Sequence, residues 1–145
     1  MKIALITGVN GQDGSYLAEY LLNLGYIVHG IMRRWSTPIL GRLTAVQDNE
    51  RFHIHECDIT DSSGIISIIK ETRPHEIYNL AAQSFVGHSF ENPSYTTQVD
   101  GLGVLNVLEG IRLNGLEHRT KFYQASTSEL YGKVQESPQN EETVF

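Results

Sequence analysis

Apolar residues along this chain fall into short uninterrupted runs, each followed by a glycine or polar break and then by apolar positions at helical spacing. The run Lys2-Ile3-Ala4-Leu5-Ile6 predicts a buried first strand. Ser15 to Leu22 predicts a helix with Leu17, Leu21 and Leu22 on one side. Gly25 stops that helix, and Tyr26 to Met32 predicts a second strand. Arg33 to Arg42 is polar, contains Pro38 and Gly41, and reads as a loop. Phe52 to Cys57 predicts a third strand. Thr60-Asp61 then opens a helix through Ile65, Ile66, Ile68 and Ile69. Pro74 ends it, and Glu76 to Leu80 predicts a fourth strand. Pro93 starts a long helix with Val99, Leu102, Val104, Leu105, Val107, Leu108 and Ile111 as apolar positions. Gly101 and Gly103 lie inside it, each costing about 1 kcal/mol against alanine, which predicts close packing of this helix on a sheet. Lys121 to Ser126 predicts a fifth strand, and the chain from Gly132 onward reads as irregular.

Strands linked through helices, without short hairpin turns, imply a parallel sheet. Right-handed crossovers then give an α/β fold, a doubly wound parallel sheet with helices on both faces. The 145 residues suit one domain with a real core. With 40% hydrophobic and 19% charged residues the composition is that of a globular chain, not a disordered one. A net charge of −6 argues against a nucleic-acid-binding surface, which needs a concentrated basic face. No apolar run approaches membrane-spanning length, and the first strand begins almost at Met1, so no signal peptide and a cytoplasmic location are expected. Cys57 is the only cysteine; flanked by Glu56 and Asp58, it gains no cationic help toward thiolate. His53 and His55 alternate along one strand, yet no further ligands converge in the sequence, so no metal site is expected; His29, His75, His88 and His118 are scattered.

Thr7-Gly8-Val9-Asn10-Gly11-Gln12-Asp13-Gly14 joins the first strand to the first helix. Gly8 allows the tight exit from the strand, Gly11 lets backbone approach a pyrophosphate, and Gly14 lets helix and strand pack closely. The helix N-terminus then offers N–H groups and partial positive charge to phosphates. This spacing, between a strand and a helix, predicts a dinucleotide site. NAD sites of this kind carry an acidic residue about 20 residues past the glycines, but no Asp or Glu stands between Glu19 and Asp48. Arg33 and Arg34 end the second strand instead. Guanidinium groups pair with a 2′-phosphate that a carboxylate would repel, so NADP is expected over NAD. After the third strand, Asp58 is placed to accept from an adenine amino group and Ile59 to pack on the ring. After the fourth, the small residues of Leu80-Ala81-Ala82-Gln83-Ser84 leave room for the nicotinamide half.

Ser126-Thr127-Ser128-Glu129-Leu130-Tyr131-Gly132 lies at the carboxyl end of the fifth strand, where open parallel sheets bind ligands. In an extended segment Thr127 and Glu129 point the same way. A hydroxyl and a carboxylate there can bond a sugar and take a proton from carbon. The same residue types also cap helices and form turns.

Thr7 to Gly14 resembles the Thr-Gly-x-x-Gly-x-x-Gly of extended short-chain dehydrogenases. Gly11 to Leu17, Arg33-Arg34, Ile77 to Ser84 and Phe122 to Gly132 together resemble the GDP-mannose 4,6-dehydratases. The likeness covers nearly the whole chain. Val9-Asn10 departs from the commoner Ile-Thr or Phe-Thr, and Trp35 is unusual after the arginines. The resemblance implies a Rossmann domain with a smaller substrate domain. It also implies NADP as coenzyme and GDP-mannose as substrate, and a cycle of oxidation at sugar C4, proton loss at C5, loss of water from C6 and reduction at C6. It implies Thr127 at the C4 oxygen, and Glu129 as C5 base and C6 acid. Gly8, Asn10, Gly11, Gln12, Asp13, Arg33, Arg34, Ser36, Asp58, Ile59, Leu80, Ala82, Ser84 and Tyr95 match coenzyme contacts. Ser84, Ser128 and Glu129 match substrate contacts. A homo-oligomer, a tetramer in the family, is implied as well. A related nucleotide-sugar epimerase, dehydratase or reductase, or a noncatalytic NADP-binding module, are the other readings.

Such enzymes use a Tyr-x-x-x-Lys pair in which the lysine lowers a tyrosine pKa of about 10. The residues four positions after the seven tyrosines are Tyr20, Leu24, Gly30, Ala82, Val99, Thr127 and Gln135; none is lysine. The 145 residues therefore read as the front, incomplete part of such a Rossmann domain, without the substrate domain. Negligible turnover, an exposed sheet edge, and either poor solubility or pairing with another chain are expected of it alone.

Overall fold

The computed structural model describes residues 1–34 and 41–145. Five parallel strands form one sheet: β1 (Ile3–Thr7), β2 (Ile27–Met32), β3 (Phe52–Glu56), β4 (Glu76–Asn79) and β5 (Lys121–Gln124), in the order β3-β2-β1-β4-β5. The register pairs Leu5 with His29 and with Ile77, and Ile77 with Phe122. β1 sits centrally and is fully buried at Ala4, Leu5 and Ile6, as a strand covered on both faces requires. The strand order reverses between β1 and β4, so their carboxyl ends diverge into a crevice.

Alternation along the strands divides the core in two. Leu5, Ile31 and Ile77 face α2 (Ser62–Thr72) and α5 (Gly103–Leu113), meeting Ile65, Ile69 and Val107. Ala4, Ile6, Val28 and Met32 face α1 (Gln12–Asn23), meeting Ala18, Leu21 and Leu22. Helix α2 is capped by Asp61, whose carboxylate accepts from Gly64 N at 3.1 Å. It ends at Arg73 in the left-handed region (φ 42°) just before Pro74.

Several elements differ from the sequence reading. α1 begins at Gln12 rather than Ser15, because Gly11 already accepts from Ser15 N and starts the ladder. The helix from Pro93 is continuous but composite: α4 (Pro93–Thr97), a wide π turn over Gln98–Leu102, then α5. A short helix α3 (Val86–Glu91) precedes it, and none of its residues is buried, so no apolar period announced it. The expected packing of Gly101 and Gly103 on the sheet does not occur. Gly101 faces open space, and a Cβ on Gly103 would meet the Ile59 side chain at 3.0 Å. Closer helix packing occurs at Gly110, where a Cβ would stand 2.6 Å from Ile69 Cδ1 of α2.

β5 forms one edge of the sheet, and beside it Tyr20, Leu24, Tyr78 and Tyr123 line a shallow groove on the α1 face. Among the described residues no helix is long and apolar enough to cross a membrane.

The histidines are not all scattered. His29 of β2 lies across from His53 of β3, and His29 Nδ1 and His55 Nε2 share a hydrogen bond of 2.9 Å. Burial first, then His55 and His53, pushes the His29 pKa down to about 4. His55 is lowered by burial and by His53, opposed by Glu71 of α2. An unfolded histidine titrates near 6.5, so between that value and about 4 the unfolded chain binds the extra proton. Stability is therefore intact above this window and falls as pH drops through it. Melting temperature is expected to fall between pH 7 and pH 5, and His29→Phe to flatten that slope. An equal slope in the variant would place the acid sensitivity elsewhere.

Candidate functional site

A groove of about 280 Å³ runs along the carboxyl ends of β2, β1 and β4. Its floor is the turn after β1. Gly8 has φ +65°, and a Cβ there would press on the Ala81 backbone at 3.0 Å. A Cβ on Gly11 would meet Gly8 O at 3.1 Å, and one on Gly14 would stand 2.5 Å from the same oxygen. Bare backbone is therefore required at Gly8 and Gly14, and at Gly11 a side chain would crowd the Gly8 carbonyl. No side chain caps the first turn of α1. The amides of its first residues precede the Ser15–Gly11 bond that opens the ladder, and are left to a ligand. This is the donor set and the space that a pyrophosphate needs. The residues present thus fit a dinucleotide.

Gly8, Asn10 and Gly11 line the groove with Arg33, Asp58, Ile59, Leu80, Ala82, Ser84 and Tyr95. Gln12 and Asp13 are exposed at the start of α1 and are not among its walls. Ser36 lies outside the described residues. The two arginines diverge. Arg33 Nη1 donates to Tyr95 Oη across the groove. Arg34 is exposed, its Nε 3.8 Å from Glu56 Oε2. Both still line a neighbouring cleft that also holds Glu56, Asp58 and Asp61. Glu56 thus places a carboxylate beside the guanidiniums that the sequence reading did not weigh. Asp58 forms a local turn, Oδ1 accepting from Thr60 N (2.9 Å) and Thr60 Oγ1 (2.8 Å). The Ile59 carbonyl accepts from Asn106 Nδ2 of α5 at 2.9 Å, which ties this wall to the helix layer. Cys57 also lines the groove; burial, then Asp61 and Asp58, push its thiol up to about 11, so it stays protonated.

A second groove of about 650 Å³ opens from the same wall at Ala81, Ala82 and Ser84, toward the end of β5. Thr127 and Glu129 both line it, with Ser126, Asp100 and Gln124. They do not meet by strand alternation. β5 ends at Gln124, Ser126 takes φ 60°, and Ser128–Tyr131 form a 3₁₀ turn. Thr127 caps this turn, its Oγ1 accepting from Glu129 N at 3.2 Å. The expected extended segment is thus replaced by a turn. A left-handed non-glycine residue beside a polar cluster marks strain held by its surroundings. Ser128, expected near substrate, is exposed and does not line the groove. Successive residues of so tight a turn point in different directions.

Sequence reasoning missed the support beneath both grooves. Thr7 and Asn79 are fully buried. Thr7 Oγ1 donates to Asn79 Oδ1 (2.6 Å) and accepts from Leu80 N (3.1 Å) and Ala81 N (3.0 Å). Asn79 Nδ2 donates onward to Gln124 Oε1 at 2.7 Å. This chain of bonds locks the ends of β1, β4 and β5 together. The signal was a polar residue, Thr7, Asn79 or Gln124, closing each of the three strands. Asp100, projected from the π turn, accepts from Gln83 N at 2.8 Å and pins the wall between the two grooves.

Residues 5–145 match the family model described as GDP-mannose 4,6 dehydratase. The chain belongs to the GDP-mannose 4,6-dehydratase family. Among these dehydratases, the protein of Yersinia enterocolitica is 59% identical over 100% of this chain, and the human one 54% identical over 99%. The chain spans 40% of the length of each of these curated relatives. The fold is shared more widely. The UDP-Glc/GlcNAc 4-epimerase of Campylobacter jejuni superposes with a TM-score of 0.86 at 22% identity, over 99% of this chain and 42% of that one. A dTDP-glucose 4,6-dehydratase from Bacillus anthracis, solved in complex with NAD, gives 0.80 at 23% identity, over 99% and 43%. The glycine-turn groove and the groove of the Thr127–Glu129 turn share the wall at Ala81, Ala82 and Ser84.

Proposed function

We propose that this chain forms the NADP-binding part of a GDP-mannose 4,6-dehydratase, active at the relatives' full length. The observation that carries this reading is the shared wall at Ala81, Ala82 and Ser84, which joins a phosphate-cradling glycine turn to a groove holding a hydroxyl and a carboxylate. When bound, a nicotinamide coenzyme supplies reversible hydride transfer. The chain's own groups do the rest. Gly8, Gly11 and the uncapped start of α1 hold the pyrophosphate. Asp58 and Ile59 flank the adenine, and Arg33 with Arg34 faces the ribose 2′-phosphate. Thr127 keeps its hydroxyl proton for the sugar C4 oxygen, because its oxygen only accepts in the turn. Glu129 takes the C5 proton and returns a proton to the C6 hydroxyl, which leaves as water. The substrate is GDP-mannose, and assembly into a homo-oligomer belongs to the same reading.

Convergence of Thr127 and Glu129 on one groove favours an enzyme over a noncatalytic binding module. Titration of the chain with NADPH and NADH tests the coenzyme. Loss of charge-assisted bonds to the 2′-phosphate predicts that NADH binds about tenfold or more weaker. Tighter binding of NADH, or binding of neither, would sink the reading.

A further inference from the structure

His29 of β2 and His53 and His55 of β3 share one side of the sheet, the side of Ile31 and α2, and line neither groove. We propose that His29 Nδ1 and His55 Nε2 form a two-histidine site for a divalent transition metal ion, which clips the edge strand β3 to β2. The site is independent of the coenzyme and of the sugar chemistry.

The two nitrogens come within 2.9 Å of each other. Imidazole nitrogens bind such ions at about 2.0–2.1 Å. Two nitrogens at that bond length and this separation subtend about 90° at the ion, the angle between neighbouring ligands of tetragonal Cu²⁺ or Ni²⁺. Without metal the ring centroids lie 5.1 Å apart, which sets the nitrogens nearly head-on around a shared proton. Each ring must therefore turn about its side-chain bonds to aim a lone pair at the ion. Both rings are half-buried, so neither is locked in a packed core. The shared proton moves to the other nitrogen of its own ring, and both histidines ligate as neutral imidazoles. Burial and the neighbouring histidines favour that neutral form at both rings, with Glu71 of α2 as the opposing charge at His55. No proton has then to be displaced at pH 7. His53 sets its ring 4.9 Å from that of His29 and flanks the pair. Among the described residues no group of three or more His, Cys, Asp and Glu encloses an ion, so water fills the remaining positions and the metal stays exchangeable. The two ligands come from different strands, so only the register of β2 on β3 assembles them.

The test is calorimetric titration of the metal-free chain, carrying no added histidine tag, with CuCl₂ and NiCl₂. One equivalent of Cu²⁺ is expected to bind, and Ni²⁺ more weakly. Melting temperature should rise by about 5 °C with free Cu²⁺ 100-fold above its Kd. His55→Gln and His29→Phe should each weaken Cu²⁺ binding at least about tenfold, since even loss of a ligand's hydrogen-bonding partner costs that much. His118→Gln, next to the opposite edge strand β5, should change nothing. Absence of binding, or binding unchanged in both pair variants, would overturn the proposal. Should the variants not fold, side-chain spectra of the wild-type histidines with substoichiometric Cu²⁺ decide. Paramagnetic loss of the His29, His53 and His55 ring signals, with those of His75, His88 and His118 retained, supports the site. Loss that starts at any other histidine overturns it.

Discussion

Gly14→Ala is expected to abolish dinucleotide binding and to destabilise the chain by about 2–4 kcal/mol, at the upper end for a single added methyl. The new Cβ would lie 2.5 Å from Gly8 O and 2.8 Å from Val9 Cα. Both obstacles are backbone, so no side chain can swing aside. Gly8 O also accepts from Gly11 N at 2.9 Å, so moving it opens the turn that receives the pyrophosphate. Binding and folding therefore fail together. Gly101→Ala is the control: nothing lies within 4 Å of its Cβ, and the helix interior gains up to about 1 kcal/mol. Thermal melts and coenzyme titrations of both variants check this. A Gly14→Ala chain that binds NADPH as tightly as the wild type would show that the turn does not form the cradle.

Glu129→Gln separates chemistry from binding. With the chain extended to the relatives' full length, turnover of GDP-mannose is expected to fall by about 10³-fold, the usual worth of a positioned general base. Coenzyme affinity should be unchanged, since Glu129 lines the second groove and not the first. Glutamine preserves the length of the side chain, and the Thr127 cap needs only the Glu129 backbone amide, so the turn should survive. Exchange of the C5 proton into deuterated solvent should stop with turnover. Rapid C5 exchange in the variant would assign the base to another residue.

The pairing of Thr127 with Glu129 was legible as two useful residues near a strand end, but the reason first given for it, strand alternation, does not hold. A left-handed Ser126 and a 3₁₀ turn bring them to one groove. Such a bend depends on what the segment packs against. α3 was invisible because it buries nothing. Likewise His29 looked isolated in sequence, and only the β2–β3 register sets it across from His53 and within a hydrogen bond of His55.

Local chemistry alone determined the parallel α/β order, the glycine turn, and the placing of arginines rather than a carboxylate after β2. Each depends on spacing along a strand, a turn or a helix, which near neighbours in the chain dictate. The divergence of Arg33 toward Tyr95 and of Arg34 toward Glu56 was decided only by the folded chain, as were the buried Thr7–Asn79–Gln124 relay and the turn that aims Glu129. These are contacts between residues far apart in sequence, whose partners are chosen by which strand ends the crossovers bring side by side.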